Sequence, residues 1–176
     1  MQKVDFNPIS ELFVANSKKP DYVKDVNLRT LSSFQRALLV IDGTVTKFLE
    51  AVTMERVEVK PVKQSQHILT SEHELLKAPS GTQIITRQVA LQGKYSYRFY
   101  AYASSLIVPE RLALSERRKI AKSEEGLGRI LNASRRPQYR ELLWYGKEYP
   151  GELPGVRDHF RALAGTRPVQ RGLAHQ

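Results

Sequence analysis

The sequence predicts an α+β protein built on a single antiparallel β-sheet with surrounding helices. Three observations predict it. Two long period-2 runs, residues 82–91 and 95–105, flank the glycine turn Gln92-Gly93-Lys94 and read as a β-hairpin. Segments with helical spacing are mixed with the strands, without the βαβ alternation of a parallel sheet. The chain has 176 residues and 41% hydrophobic content, which suits one domain with its own core.

Each element has a local reason. Residues 1–30 are polar and mixed, with Asn7-Pro8 and Lys19-Pro20-Asp21, and read as an arm holding at most one helical turn. Ser32 or Ser33 can cap a helix through about Ile41, since Phe34, Leu38 and Ile41 share a face. The apolar run Leu38-Leu39-Val40-Ile41 then meets Asp42-Gly43, and Thr44 is placed to cap a second helix ending near Val52. Residues 57–64 alternate as a strand, in which Pro61 calls for an edge position or a bulge. Residues 67–78 read as a polar linker closed by the turn Pro79-Ser80-Gly81.

In the hairpin, Ile85, Arg87, Val89 and Leu91 share one face. Tyr95, Tyr97, Phe99, Ala101 and Ala103 alternate with Ser96, Arg98, Tyr100, Tyr102 and Ser104, and Arg98 falls on the surface. Pro109 ends that strand, and residues 110–122 read as a helix. Gly126-Leu127-Gly128 breaks the chain, and residues 129–132 are a short piece. Residues 139–145 form another strand before Gly146, and residues 156–163 a helix. Residues 164–176 have no clean period and read as disordered. The expected organisation is an arm (1–30), one domain (31–163) and a tail (164–176).

Composition removes several chemistries. There are no cysteines, so disulfides, thiolate nucleophiles and cysteine metal sites are out. The four histidines (His67, His73, His159, His175) lack metal-ligand spacing, and no metal is expected. No run of eighteen apolar residues exists and the N-terminus has no signal-peptide core, so no membrane partner and a cytoplasmic location are expected. The net charge of +10 points to an anionic partner, either nucleic acid or a small polycarboxylate. Residues 110–140 hold nine Lys or Arg against four acids, a pattern that equally suits a solvated helix face. The tyrosines lack the glycine-flanked signature of an RNA-binding sheet, so nucleic acid is the weaker of the two readings. The sequence carries no signature of an oligomeric state.

Two candidates for chemistry remain. Arg87 sits among Ile85, Val89 and Leu91 on the face that should be apolar. A charge there needs a partner or a ligand, and arginine's planar fork suits a carboxylate. A salt bridge to a core acid, or a head group reaching the rim, would serve the fold equally well. Gly126 and Gly128 would let the backbone approach a ligand closely, or simply stop a helix.

Taken together, these stretches resemble the chorismate pyruvate-lyase (4-hydroxybenzoate synthase) family, and most closely its cyanobacterial/archaeal-type branch, from prokaryotes that make plastoquinone or related compounds. The resemblance runs from about Leu31 to about Leu153. It rests on residues 38–50, on Arg87-Gln88-Val89-Ala90-Leu91-Gln92-Gly93-Lys94-Tyr95-Ser96, on Ala103-Ser104-Ser105-Leu106-Ile107-Val108-Pro109, on Gly126-Leu127-Gly128 and on Leu143-Trp144-Tyr145-Gly146-Lys147. It implies an antiparallel sheet with the ligand under helix-turn flaps, and conversion of chorismate to 4-hydroxybenzoate and pyruvate without any cofactor, early in quinone biosynthesis. It also implies roles. Arg87 matches the arginine that grips the ligand carboxylate and is the expected catalytic residue. Val45 and Leu127 match residues whose backbone meets the ligand. Thr44 and Gly128 join them as substrate-binding residues, with Gly126, Thr46 and Lys47 close by.

The family's last two strands, one carrying a ligand-contacting glutamate, have no counterpart in the pattern of this chain, which has no acidic residue after Asp158. The expected sheet therefore lacks two strands. That departure keeps a second function open: a non-catalytic binder of a small aromatic acid, as in effector-binding domains of transcription regulators that share the fold.

Overall fold

The computed structural model describes residues 7–42, 44–122, 125–134, 137, 139–148 and 169–175. The chain divides into two compact units, Met1–Asp42 with Gln138–Gln176, and Gly43–Pro137. The class is α+β, with four α-helices and antiparallel strands among the described residues. The described strands form two three-stranded sheets where one was expected. Alternation reveals that a segment can be a strand, but not which edge it will pair with.

In the first unit, β1 (Val23–Lys24), β5 (Arg140–Glu148) and β6 (Val169–His175) pair in the order β1-β5-β6. The expected arm is part of this unit's core. Ile9, Phe13, Leu31 and Leu39 bury together against Leu142 and Tyr145, and the Phe13 and Tyr145 ring centroids lie 4.7 Å apart. Three 3-10 turns and β1 occupy residues 10–30. No local period betrays them, because their partners are distant in sequence. Val14 N–H donates to the Leu142 carbonyl (2.9 Å) and Tyr145 N–H to Asn16 Oδ1 (3.1 Å).

The tail reading is likewise corrected for Val169–His175, which pairs with β5 from Arg140↔His175 to Lys147↔Val169. A ladder is made by backbone groups, so a segment without alternation can still complete one. One strand therefore stands where the pattern showed none. The expected helix at 156–163 lies outside the described residues. The helix α1 (Ser33–Val40) starts at Ser32, which makes a full capping box with Gln35.

The second unit holds α2 (Val45–Thr53), β2 (Val57–Ile68), β3 (Gln83–Gly93), β4 (Phe99–Ile107), α3 (Leu114–Lys122) and α4 (Leu127–Ala133). The sheet order is β2-β3-β4. Pro61 meets both of its expected settings: β2 is an edge strand, and its register shifts between Pro61 and Lys63. The strand also runs on to Ile68, into the segment read as a linker. β3 is covered on both faces. Ile85 joins Ile107, Ile120 and Ile130, while Ile84 joins Ala78 and Val108. The helix expected over 110–122 begins late. Pro109–Arg111 form a 3-10 turn, and the Glu116 carboxylate accepts the Ala113 N–H (2.7 Å), marking the true start.

The hairpin turn is wider than its glycine suggests, and β4 starts at Phe99 rather than Tyr95. Glu55 explains the difference. Its carboxylate accepts the N–H groups of Tyr95 (3.1 Å) and Ser96 (3.0 Å), the Ser96 hydroxyl (2.6 Å) and the Tyr100 hydroxyl. Those bonds, that of the Ser96 hydroxyl first and Tyr100 next, hold the Glu55 carboxyl down at about 2. Backbone donors spent on Glu55 are not available to a ladder.

Candidate active site

The candidate site is built from the starts of α2 and α4 and the middle of β3. Alternation along β3 turns Ile85, Arg87, Val89 and Leu91 to one side, and all four are buried. Arg87 is only 2% exposed. Its Nη2 donates to the Glu125 main-chain carbonyl at 2.7 Å. Burial pulls the guanidinium's pKa below its ordinary value, yet an arginine remains protonated at neutral pH. Arg98, by contrast, is exposed as expected, although it lies in the turn before β4 and not on the strand.

Glu125 immediately precedes α4. Gly126 takes the extended N-cap conformation (φ −65°, ψ 137°) and no side chain caps the helix. The triplet Gly126-Leu127-Gly128 thus starts a helix instead of stopping one. The carbonyl of Gly126 accepts from the N–H groups of Arg129 (3.0 Å) and Ile130 (3.1 Å), which leaves those of Leu127 and Gly128 outside the helical ladder. The Leu127 side chain packs on the Ile85, Ile107, Ile120 and Ile130 cluster. That cluster gives the site an apolar wall.

The start of α2 is similar. Thr44 has N-cap geometry (φ −75°, ψ 124°) but makes no side-chain cap bond. The first helical bond runs from Phe48 N–H to the Thr44 carbonyl (3.2 Å), so the N–H groups of Val45, Thr46 and Lys47 are not used by the helix. An uncapped start of this kind favours an anion, through its free donors and the positive end of the helix dipole.

The two helix starts touch, and glycine is what lets them. A Cβ on Gly128 would sit 2.9 Å from Thr44 Cγ2, and a Cβ on Gly126 would sit 3.3 Å from Thr46 Oγ1. The structure therefore brings Thr44 against Gly128 and Thr46 against Gly126, with Arg87 bonded to the residue before Gly126. Val45 is half-buried at the first position of α2, and Lys47 is exposed. Two participants escaped the sequence reading. The Glu125 carbonyl that holds Arg87 is backbone and carries no residue-type signal. Val59 on β2, 3.7 Å from a Gly126 Cβ, looks like any strand valine. Among the described residues, no group of three or more His, Asp or Glu could hold a metal ion, and no helix is long and apolar enough to cross a membrane.

These features define an α+β protein with a buried guanidinium, two uncapped helix starts and an apolar wall, an arrangement able to receive a small aromatic or cyclic carboxylate. The family model described as "Chorismate pyruvate-lyase Rv2949c-like" matches residues 39–160. A chorismate pyruvate-lyase of Mycobacterium tuberculosis (strain ATCC 25618 / H37Rv) is 27% identical over 171 residues, covering 88% of this chain and 84% of that protein. One from Mycobacterium leprae (strain TN) is 27% identical over 155 residues, covering 81% and 73%. The chain belongs to the Rv2949c-like chorismate pyruvate-lyase family.

Proposed function

We propose that this chain is a chorismate pyruvate-lyase, converting chorismate to 4-hydroxybenzoate and pyruvate. The observation that carries the reading is Arg87, an arginine only 2% exposed on the core face of β3, inside the matched residues 39–160. In the reaction the ether bond to the ring breaks and the enolpyruvyl group leaves as pyruvate. The ring gives up one hydrogen, the pyruvate methyl gains one, and atoms balance without a co-reactant. Aromatisation supplies the driving force, so the protein's task is to hold the substrate in its reactive geometry and keep water away.

In this reading Arg87 grips the ring carboxylate. The backbone N–H groups of Val45 and Leu127 meet the same ligand, and Thr44 and Gly128 shape the approach between the helix starts. The Leu127 and Ile85 cluster forms the apolar sleeve for the ring. Of the finer expectations, the part in quinone synthesis, and plastoquinone in particular, rests on the family resemblance, and the cytoplasmic location on the composition.

One observation favours a second reading, a non-catalytic binder of a small aromatic acid. Residues 159–176 contain no acidic residue, in the stretch where the family resemblance expects a ligand-contacting glutamate. Purified protein mixed with chorismate, with 4-hydroxybenzoate followed over time, separates the two. Turnover that is lost in Arg87→Ala supports the lyase. Turnover undiminished in that variant would remove Arg87 from the site, and binding of 4-hydroxybenzoate without turnover would establish the binder.

A further inference from the structure

We propose that the Thr44 hydroxyl is kept for a bound carboxylate rather than for its own helix, which makes Thr44 a ligand-positioning residue; this rests on the lyase-type site proposed above. A threonine at a helix N-cap ordinarily accepts an N–H from the second or third helical residue. Thr44 has the backbone for that role, φ −75° and ψ 124°, but its side chain accepts nothing from α2. The reason lies across the site. Its methyl group is seated on Gly128, so close that a Cβ there would be 2.9 Å away. A β-branched side chain has few rotamers, and this contact uses the methyl to choose among them.

The hydroxyl is then left over. Thr44 is 8% exposed, and its Oγ1 is buried without a hydrogen-bond partner among the described residues. A buried hydroxyl in that state is unfavourable. At the same time, the helix does not use the N–H groups of Val45, Thr46 and Lys47, and the Thr44 side chain caps none of them. Those groups can only donate. Whatever they receive must be rich in acceptors and poor in donors, which describes a carboxylate. A hydroxyl at the same place then donates to that group too. Binding would satisfy in one step the orphaned hydroxyl and the uncapped helix start.

Thr44→Val keeps the methyl and removes only the hydroxyl, so it separates this role from ordinary capping. The full-length protein and the variant would be compared by thermal melting without ligand, by 4-hydroxybenzoate binding and by chorismate turnover. The free variant is expected to melt at the same temperature or higher, since no bond is lost. Its affinity for 4-hydroxybenzoate is expected to fall about tenfold or more, as for a bond to a charged group. The KM for chorismate should rise with kcat little changed, because the carboxylate is present in ground and transition states alike. A lower melting temperature with unchanged affinity would show that Thr44 caps α2 after all and overturn the proposal. Equal binding by wild type and variant would sink the Thr44 role alone. A wild type that takes neither chorismate nor 4-hydroxybenzoate would sink the function reading, and this role with it.

Discussion

Gly128→Ala sets two local effects against each other, and the geometry decides between them. Gly128 lies in the first turn of α4, and its φ is not in the left-handed region that would demand glycine. On propensity alone, alanine in a helix is favoured over glycine by about 1 kcal/mol. The added Cβ, however, would stand 2.9 Å from Thr44 Cγ2, 3.5 Å from Thr44 Cβ and 3.8 Å from Thr44 Cα, where ordinary contact begins at 3.4 Å. The offending atom is not the tip of a long, flexible chain but a methyl on a stiff β-branched residue. Relief therefore has to come from moving the α2 start away from α4 by about half an ångström, and overpacking of this kind costs roughly 1–3 kcal/mol. The net expectation is a loss of stability of about 0–2 kcal/mol rather than a gain. Spreading the helix starts also lengthens the bonds they would make to a shared carboxylate, and a roughly tenfold loss of affinity corresponds to about 1.4 kcal/mol. Urea unfolding and titration with 4-hydroxybenzoate measure the two quantities. A variant more stable by about 1 kcal/mol, with ligand affinity intact, would mean that Gly128 faces open space and that the helix starts do not meet as described.

Two further substitutions or conditions test the frame around the site. Ser32→Ala removes the capping box of α1 and is expected to lower the unfolding free energy by about 1 kcal/mol, with Ser32→Asp retaining most of it; an unchanged urea midpoint would show that the cap carries no weight. Glu55 predicts an acid sensitivity of the hairpin. Its carboxyl titrates at about 2 in the folded protein but near 4.3 when unfolded. The unfolded chain therefore takes up a proton first as pH falls. The stabilisation by the clamp is complete above about pH 4.5 and is lost progressively toward pH 2. The amide resonances of Tyr95 and Ser96 should titrate with a midpoint near 2; a midpoint near 4.3 would mean that the clamp is absent in solution.

Much of the second unit was legible because its signals are local. Pro61 announced an edge and a bulge in β2, and β2 has both. Arg87 interrupted an apolar face, and that face proved to be the buried one. In the first unit α1 and β5 were legible too, but the arm and β6 were not, for the opposite reason. Ile9, Phe13 and Val23 have no period of their own, since each is buried by residues brought from elsewhere in the chain. β6 had no alternation to find, because β5 supplies its ladder. Glu55 defeated the expected turn in the same way. A single glutamate forty residues upstream of Tyr95 and Ser96 redirected a loop whose own residues favoured strand.

The proposed site shows a stricter limit, because most of the donors assigned to it belong to the backbone. An N–H at the start of a helix has the same chemistry whatever side chain follows it, so Val45 and Leu127 carry no mark of a ligand role in their own identity. What residue type can reveal is the space around such groups. Gly126 and Gly128 are small because Thr46 and Thr44 lie against them, and Thr44 is a capping residue that does not cap. Read alone, the first is an ordinary helix stop and the second an ordinary helix start. Only their contact converts two common features into one uncommon arrangement, in which donors are assembled and then left unspent. Arg87 follows the same logic from the sheet side: its Nη2 is tethered to the Glu125 carbonyl, which fixes the guanidinium beside the start of α4. The arrangement costs the free protein an unpaired buried hydroxyl and an uncapped helix. The contact of the Thr44 methyl with Gly128 accounts for the missing cap, and a bound carboxylate would offset what that contact leaves unpaired.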